Sequence, residues 1–193
     1  HAGKLLRVNL STGQIREESI PADILNDYVG GRGIGVNYLY REVEPGVDPL
    51  GPRNKLILLN GPLAGTSAQS VSRWMAMAKS PLTGGYGRAV GGADFGAWLK
   101  FGGFDMVILE GKAEKPSYLH ISKDGPRLLD AAELWGRNTW ETQETLIERH
   151  GRNTRVACVG PAAEKGVRFA VICSHRRTAS RCGLGTVMAS KNL

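Results

Sequence analysis

Apolar and polar residues alternate over residues 5–18, LLRVNLSTGQIREE, and the alternation breaks at Thr12-Gly13. That pattern predicts a two-stranded hairpin. Residues 117–129, SYLHISKDGPRLL, repeat it around Asp124-Gly125. Each hairpin leads into a helical start, PADIL (21–25) and DAAEL (130–134), and then a longer helix-like stretch, VNYLYREV (36–43) and ETLIERHG (144–151). Apolar runs bounded by turn residues come next: NKLILLNGPLAG (54–65) aligns with NTRVACVGPAAE (153–164), each an asparagine, a buried-type strand and Gly-Pro.

The alignment continues in order. SRWMAM (72–77) matches VRFAVI (167–172), with Arg73 opposite Arg168 and Trp74 opposite Phe169. GRAVGGADFGAWL (87–99) matches RRTASRCGLGTVM (176–188), with Arg88 opposite Arg177. Internal repeats decide a fold before any local feature does. The expected fold is therefore α+β and internally duplicated: one domain over 1–193, with repeats at about 1–112 and 113–193 forming two similar β-rich sheets around a pseudo-two-fold axis. Strands and helices do not alternate as βαβα, which argues against a doubly wound sheet. The first copy goes on into a plain buried strand, FDMVILEG (104–111), whereas Leu193 aligns with Phe104. The counterpart of that strand, and any later domains, are expected beyond this chain.

Composition sharpens the picture at two points. Glycine occurs 26 times in 193 residues, about twice the usual ~7%, and clusters at element boundaries where tight turns or close backbone approaches belong. The formal charge of +7 points to an anionic partner: nucleic acid, a phosphate-bearing cofactor or an acidic subunit. No apolar run approaches the ~18 residues of a membrane span. Cys158, Cys173 and Cys182 are odd in number and lack CxxC spacing, which disfavours a disulfide framework or a metal cage and suits a reducing, cytoplasmic setting.

Most chemistry-bearing motifs are absent. His120, His150 and His175 are scattered, acidic residues are mostly solitary, and EGKAEKP (110–116) lacks the loop of a phosphate-binding P-loop. GGRGIG (30–35) has GxGxG rather than GxGxxG spacing and follows a helical stretch, so it is better taken as a closely packed helix entry. The stronger candidates are the repeat-related loops GGYGRAVGGADFG (84–96) and SHRRTASRCGLG (174–185), which place arginines and small residues before a helix. Exposed N–H groups and guanidinium forks suit phosphate. Composition alone fits solvated arginines and plain turns equally well; the duplication favours a ligand with two similar anionic halves. A basic nucleic-acid-binding module is the rival class, with Trp74 beside Arg73 as its one hint. Trp98, Trp135 and Trp140 fall in helix-like stretches and are expected to be packing residues. A structural subunit without cofactor is a third possibility.

A set of motifs then carries a resemblance. RVNLSTG (7–13), GGRGIG (30–35), GPLAGT (61–66), AKSPLTGG (78–85), FGAWLKFGGFD (95–105), ILEGKAEKP (108–116) and GLGTVMASKNL (183–193) resemble, in order and over essentially the whole chain, the N-terminal domain of the aldehyde ferredoxin oxidoreductase family. The resemblance implies a two-unit base under a tungsten (in some members molybdenum) bis-pyranopterin cofactor whose two phosphates are linked through magnesium. It further implies aldehyde oxidation to a carboxylate, with electrons leaving through a 4Fe-4S cluster to ferredoxin or another electron-transfer subunit.

By the same resemblance Arg73 is the arginine between a pterin and the cluster. Val90 and Thr178 supply backbone carbonyls to magnesium. Gly92, Arg177, Ser180, Arg181 and Cys182 match other pterin-contacting positions. The family commonly has Asn at Val90, Ala at Thr178 and Gly at Ser180 and Cys182, so these four depart from its pattern. Cluster cysteines and acid–base residues are expected from C-terminal domains of the same polypeptide. No catalytic residue is therefore expected in this chain, and it should not turn over alone. Neither a membrane nor a nucleic-acid partner is expected.

Overall fold

Three consecutive-apolar runs, Leu56–Asn60 (β3), Trp74–Lys79 (β4) and Met106–Glu110 (β6), are buried on nearly all sides and form the middle of one sheet. The computed structural model describes all residues from His1 to Leu193. The alternating hairpin supplies Lys4–Asn9 (β1) and Gln14–Ser19 (β2) at one edge, and Tyr86–Gly91 (β5) forms the other. The strand order is β2-β1-β6-β3-β4-β5. Only the β1–β6 pair is parallel, with Leu5 opposite Met106; β6 runs antiparallel to β3, with Leu56 opposite Leu109.

Both faces of this sheet are covered. On one, Leu5, Ile57, Leu59, Met77, Met106 and Ile108 pack against Ile24 of α1 (Ala22–Tyr28) and Ile34 and Leu39 of α2 (Arg32–Glu42). The GGRGIG stretch is the entry to α2, as its spacing suggests. A Cβ on Gly35 would run into the Met77 sulfur and stand 2.9 Å from Leu59 Cδ2, so the glycine lets the helix lie close on the sheet. Near the other end of α2, Arg7 donates to Glu42 at 2.8 Å and to Glu18 at 2.8 Å, and Lys55 donates to Glu42 at 2.5 Å.

The opposite face, with Leu6, Leu58, Trp74, Ala76, Ala89, Val107 and Leu109, receives the second half of the chain through Ile172, Ala179, Leu184, Val187 and Met188. That half is less regular than its sequence suggests. Ser117–Ser122 (β7) and Gly125–Asp130 (β8) pair as one ribbon, and Ile172–Ser174 (β9) and Arg177–Ala179 (β10) as another. Residues 153–159 join only through an isolated Cys158–Cys173 bridge. DAAEL forms a turn in which the Leu134 N–H bonds the Ala131 carbonyl at 2.9 Å. VRFAVI likewise turns, the Ala170 N–H bonding Val167 at 2.9 Å, which leaves Phe169 68% exposed where Trp74 is fully buried. Ladder pairing therefore equates Ser174, opposite Arg177, with Met77, opposite Arg88, two residues beyond the sequence alignment. The fold is mixed α/β with strands and helices out of alternation, and the equivalence of the two halves rests on sequence order alone.

Helix α3 (Phe95–Phe101) lies beside β3 and β4, α4 (Thr139–His150) and the short α5 (Pro161–Glu164) belong to the second half, and α6 (Leu184–Ser190) docks beneath the sheet. The α6 entry is tight. An added Cβ on Gly185 would overlap the Val171 backbone, and one on Gly183, at φ +67, the Arg168 carbonyl. Just past the helix, the fully buried Lys191 donates to the carbonyls of Asn54 at 2.5 Å and Gly111 at 3.0 Å.

Burial pulls the Lys191 ammonium down to about 8, against the opposing pull of Glu110. A depressed folded-state value means the native state binds fewer protons than the unfolded chain between pH 8 and 10.5, so this group makes stability rise with pH across that window. Below it, the cost of holding the charged form is about 3 kcal/mol. Replacing Lys191 with Met should flatten the rise in unfolding free energy between about pH 8 and 10.5, measured by denaturant titration; an unchanged slope would exclude Lys191 as its source.

Candidate anion-binding site

β5 is an edge strand, and its residues alternate strictly. Gly87, Ala89 and Gly91 face the core, while Tyr86, Arg88 and Val90 face outward. Gly91 sits where any side chain would run into the Trp74 indole, whose Nε1–H donates to the Gly92 carbonyl at 3.1 Å. The indole thereby fixes the start of the Gly92–Asp94 turn into α3. Trp74 is thus wholly a core residue, and its place beside Arg73 offers no ring for a base to stack on.

The second loop runs alongside this edge. Next to Gly92 lies Arg177, whose Cγ would be 3.2 Å from an added Cβ. At the other end of β5 the Cys182 carbonyl accepts from Ser80 Oγ at 2.8 Å, and the Cys182 thiol approaches the Arg88 carbonyl at 3.8 Å. The structure therefore gathers the sequence-derived candidates into one strip. Arg73, directly before β4, marks the Gly92–Arg177 end, since Trp74 pairs with Gly91. Val90 is half-buried between, and exposed Thr178, Ser180 and Arg181 follow the second loop to half-buried Cys182.

Ladder parity sets the direction of two carbonyls. In the β4–β5 hairpin the Ser80 N–H bonds the Gly85 carbonyl at 2.8 Å, so alternate pairs such as Met75–Val90 are the non-bonded ones. The Val90 carbonyl consequently points off the sheet edge. Cys173 spends both backbone groups on Cys158 at 2.8 Å, so Thr178 opposite it also turns its carbonyl away from β9.

The electrostatics of the strip are one-sided. Outside it Arg7, Arg53, Arg149 and Arg155 have carboxylate partners, whereas Arg16, Arg41, Arg127, Arg137, Arg152 and Arg168 have none. Arg32, Arg73, Arg88, Arg176, Arg177 and Arg181 have none within 4.0 Å. Arg88 and Arg32 lie near enough to Tyr86 to act on its hydroxyl, although burial dominates and pushes it above its ordinary value. Arg176 lies over the Trp140 ring at 6.0 Å, and Trp140 is 51% exposed on α4 rather than packed. The sequence signal missed Arg32 and Tyr86, because α2 and β5 meet only through the fold. Asp94, just past Gly92, is held by Arg155, whose Nε donates to it at 2.6 Å and whose guanidinium stacks 4.7 Å from the Trp98 ring.

The two departures from glycine differ physically. Cys182 sits at φ 65, the left-handed region, whereas Ser180 has an ordinary negative φ. Cys182→Gly should raise stability by about 1 kcal/mol, less the packing lost with its half-buried thiol. Thermal unfolding would show this as a Tm increase of about 2–4 °C; a decrease would mean that thiol packing outweighs backbone strain.

The fold is shared with a domain of a solved reductase complex. The structure superposes on the active site complex BamBC of benzoyl coenzyme A reductase with 1,5 dienoyl-CoA at a TM-score of 0.98, with 34% identity over all of this chain and 30% of that one. The family described as aldehyde ferredoxin oxidoreductase, N-terminal domain, matches residues 5–193, and the chain belongs to that family. A tungsten-containing aldehyde ferredoxin oxidoreductase from Pyrococcus abyssi is 46% identical over 193 residues, 99% of this chain and 32% of the relative. The WOR-like subunit of an aliphatic sulfonate oxidoreductase from Pyrococcus furiosus is 34% identical over 208 residues, 33% of its length. The chain thus spans about a third of the curated relatives it matches.

Proposed function

We propose that the strip along β5 is the floor of a tungsten bis-pyranopterin site, with molybdenum as the alternative metal, in a larger oxidoreductase that converts aldehydes to carboxylates. The observation that carries this reading is the cluster of arginines without carboxylate partners on two loops held side by side. A cluster of that kind is unfavourable until an anion fills it. Its composition fits the group. Arg177 and Arg181 present planar forks to phosphate oxygens, and Gly92 leaves room for a ligand to approach the backbone. The outward carbonyls of Val90 and Thr178 are hard oxygen donors of the type magnesium accepts between phosphates.

Each chain residue then has a stated task. Arg177 and Arg181 neutralise phosphate charge, and Gly92 keeps the first loop low. Val90 and Thr178 tolerate their departures from the family's Asn and Ala, because the backbone rather than the side chain does the binding. Arg73, exposed just before β4, is assigned to the place where a pterin and a 4Fe-4S cluster would meet. Ser180 and Cys182 border the pterin with more bulk than glycine, which narrows that side of the floor. When bound, the group supplies the two-electron chemistry at its metal. Cluster ligands, acid–base residues and the contact with ferredoxin or another carrier are assigned to C-terminal parts of the polypeptide. Ferredoxin is supported by the names of the relatives. No helix is long and apolar enough to cross a membrane, and the proposal includes neither a membrane nor a nucleic-acid partner.

The test is metal analysis of the full-length protein grown with tungstate and molybdate, alongside aldehyde-dependent viologen reduction. One of the two metals should be present. Losing a charge-assisted phosphate contact weakens binding by about 10- to 100-fold, so Arg177→Ala and Arg181→Ala should each lower metal occupancy, and the double variant should lower it further. Neither metal in the parent protein, or unchanged metal in the double variant, would overturn the site.

A further inference from the structure

The stretch AKSPLTGG (78–85) matches the family pattern but has no task in the cofactor reading. It ends β4 and turns the chain into β5. Ser80, at the start of that turn, is fully buried, whereas serines are mostly exposed.

Each polar atom of this serine is occupied. Its N–H donates to the Gly85 carbonyl at 2.8 Å, and its carbonyl accepts from the Gly84 N–H at 2.9 Å. Its hydroxyl oxygen accepts from the N–H groups of Leu82 at 3.2 Å and Thr83 at 3.1 Å. A hydroxyl has two acceptor positions and one proton. With both positions filled by the turn, the proton has one direction left, and it goes to the Cys182 carbonyl at 2.8 Å, 102 residues away in sequence. The turn before β5 therefore aims the bond that holds the second loop.

The segment that receives this bond needs a restraint. Cys182 and Gly183 are both left-handed, at φ 65 and φ 67, and a side chain in that region persists only where its surroundings hold it. Packing is close on either side of the bond. A Cβ on Gly87 would stand 3.1 Å from both Cys182 Cβ and Leu184 Cδ2, and one on Gly183 would stand 3.2 Å from Pro81 Cγ. The two loops thus meet at a second point, at the opposite end of β5 from the contact of Gly92 with Arg177.

We propose that Ser80 is a positioning residue for the anion site: its hydroxyl fixes the Arg181–Cys182 end of the second loop against β5 and so sets the span between the two anion-binding loops. Arg181 leaves the backbone one residue before the carbonyl that Ser80 holds, and its placement follows from that bond. A ligand with two anionic halves engages both loops at once, and it binds more tightly when their spacing is fixed beforehand. That the loops hold such a ligand rests on the cofactor reading; that Ser80 joins them does not.

Three variants of the full-length protein test it. Ser80→Ala removes the joining bond, Ser80→Thr keeps the hydroxyl, and Asn54→Ala is the control. Asn54 is also fully buried, but its side chain bonds only Pro49 and Lys79, within the first half. Hydrogen exchange over residues 174–185 should rise about 10-fold in Ser80→Ala, the scale of one lost buried hydrogen bond. It should stay parental in Ser80→Thr and Asn54→Ala. The rate at which tungsten or molybdenum is lost on prolonged dialysis should follow the same order. Parental exchange in Ser80→Ala would overturn the proposal, and so would an equal rise in Asn54→Ala, which would mark a general loss of stability. Ser80→Thr behaving like Ser80→Ala would exclude the hydroxyl as the agent. Raised exchange with parental metal retention would overturn the positioning role. A parent protein holding neither metal would instead overturn the cofactor reading and the ligand assigned to the loops, while the exchange comparison still decides whether Ser80 joins them.

Discussion

The seating of α6 beneath the six-stranded sheet is the contact on which the rest of the arrangement depends. Gly183 and Gly185 let the helix start against the backbone of residues 168–171 with no side chain between, and Leu184, Val187 and Met188 then close the sheet's second face. Lys191 locks the far end by donating to carbonyls at the start of β3 and the end of β6. The loop before α6 is consequently drawn along β5 and cannot swing outward, which makes two loops distant in sequence into a single surface.

Charge is distributed by the same architecture. Around β1 and the end of α2, Arg7 and Lys55 share Glu18, Glu42 and Glu110, so both cations are fully partnered by carboxylates. Along β5 no carboxylate is supplied to Arg88, Arg177 or Arg181. The formal surplus of +7 therefore includes several unpaired guanidiniums along this edge, beside backbone carbonyls that point away from their ladders.

Much of the first half was legible because hydrophobic period and element agree there. The hairpin at Thr12-Gly13, the buried run at residues 56–60 and the glycine-assisted entry to α2 all follow from local pattern. The second half misled where a strand-like composition lacked a partner. VRFAVI is apolar enough for a strand, but with no neighbour to pair, it turns at Val167–Ala170 and exposes Phe169. DAAEL has helical propensity over too few residues to nucleate. Within the candidate site, the arginine-bearing loops were visible in the sequence, and the contact of Arg177 with Gly92 is a tertiary one. Arg32 and Tyr86 were not legible, since the meeting of α2 with the β5 edge is a tertiary fact. The strain at Cys182 was visible only as an unusual residue at a position the family fills with glycine; its left-handed φ supplies the reason.

Arg155 joins two regions otherwise described separately. Its backbone lies in the second half of the chain, while its guanidinium stacks on Trp98 and holds Asp94 beside the first loop. The position of Asp94 is therefore tied to Trp98 through a single guanidinium. The consequence is that a change at Trp98, which carries no charge and lies outside the strip, reaches the turn that holds Gly92.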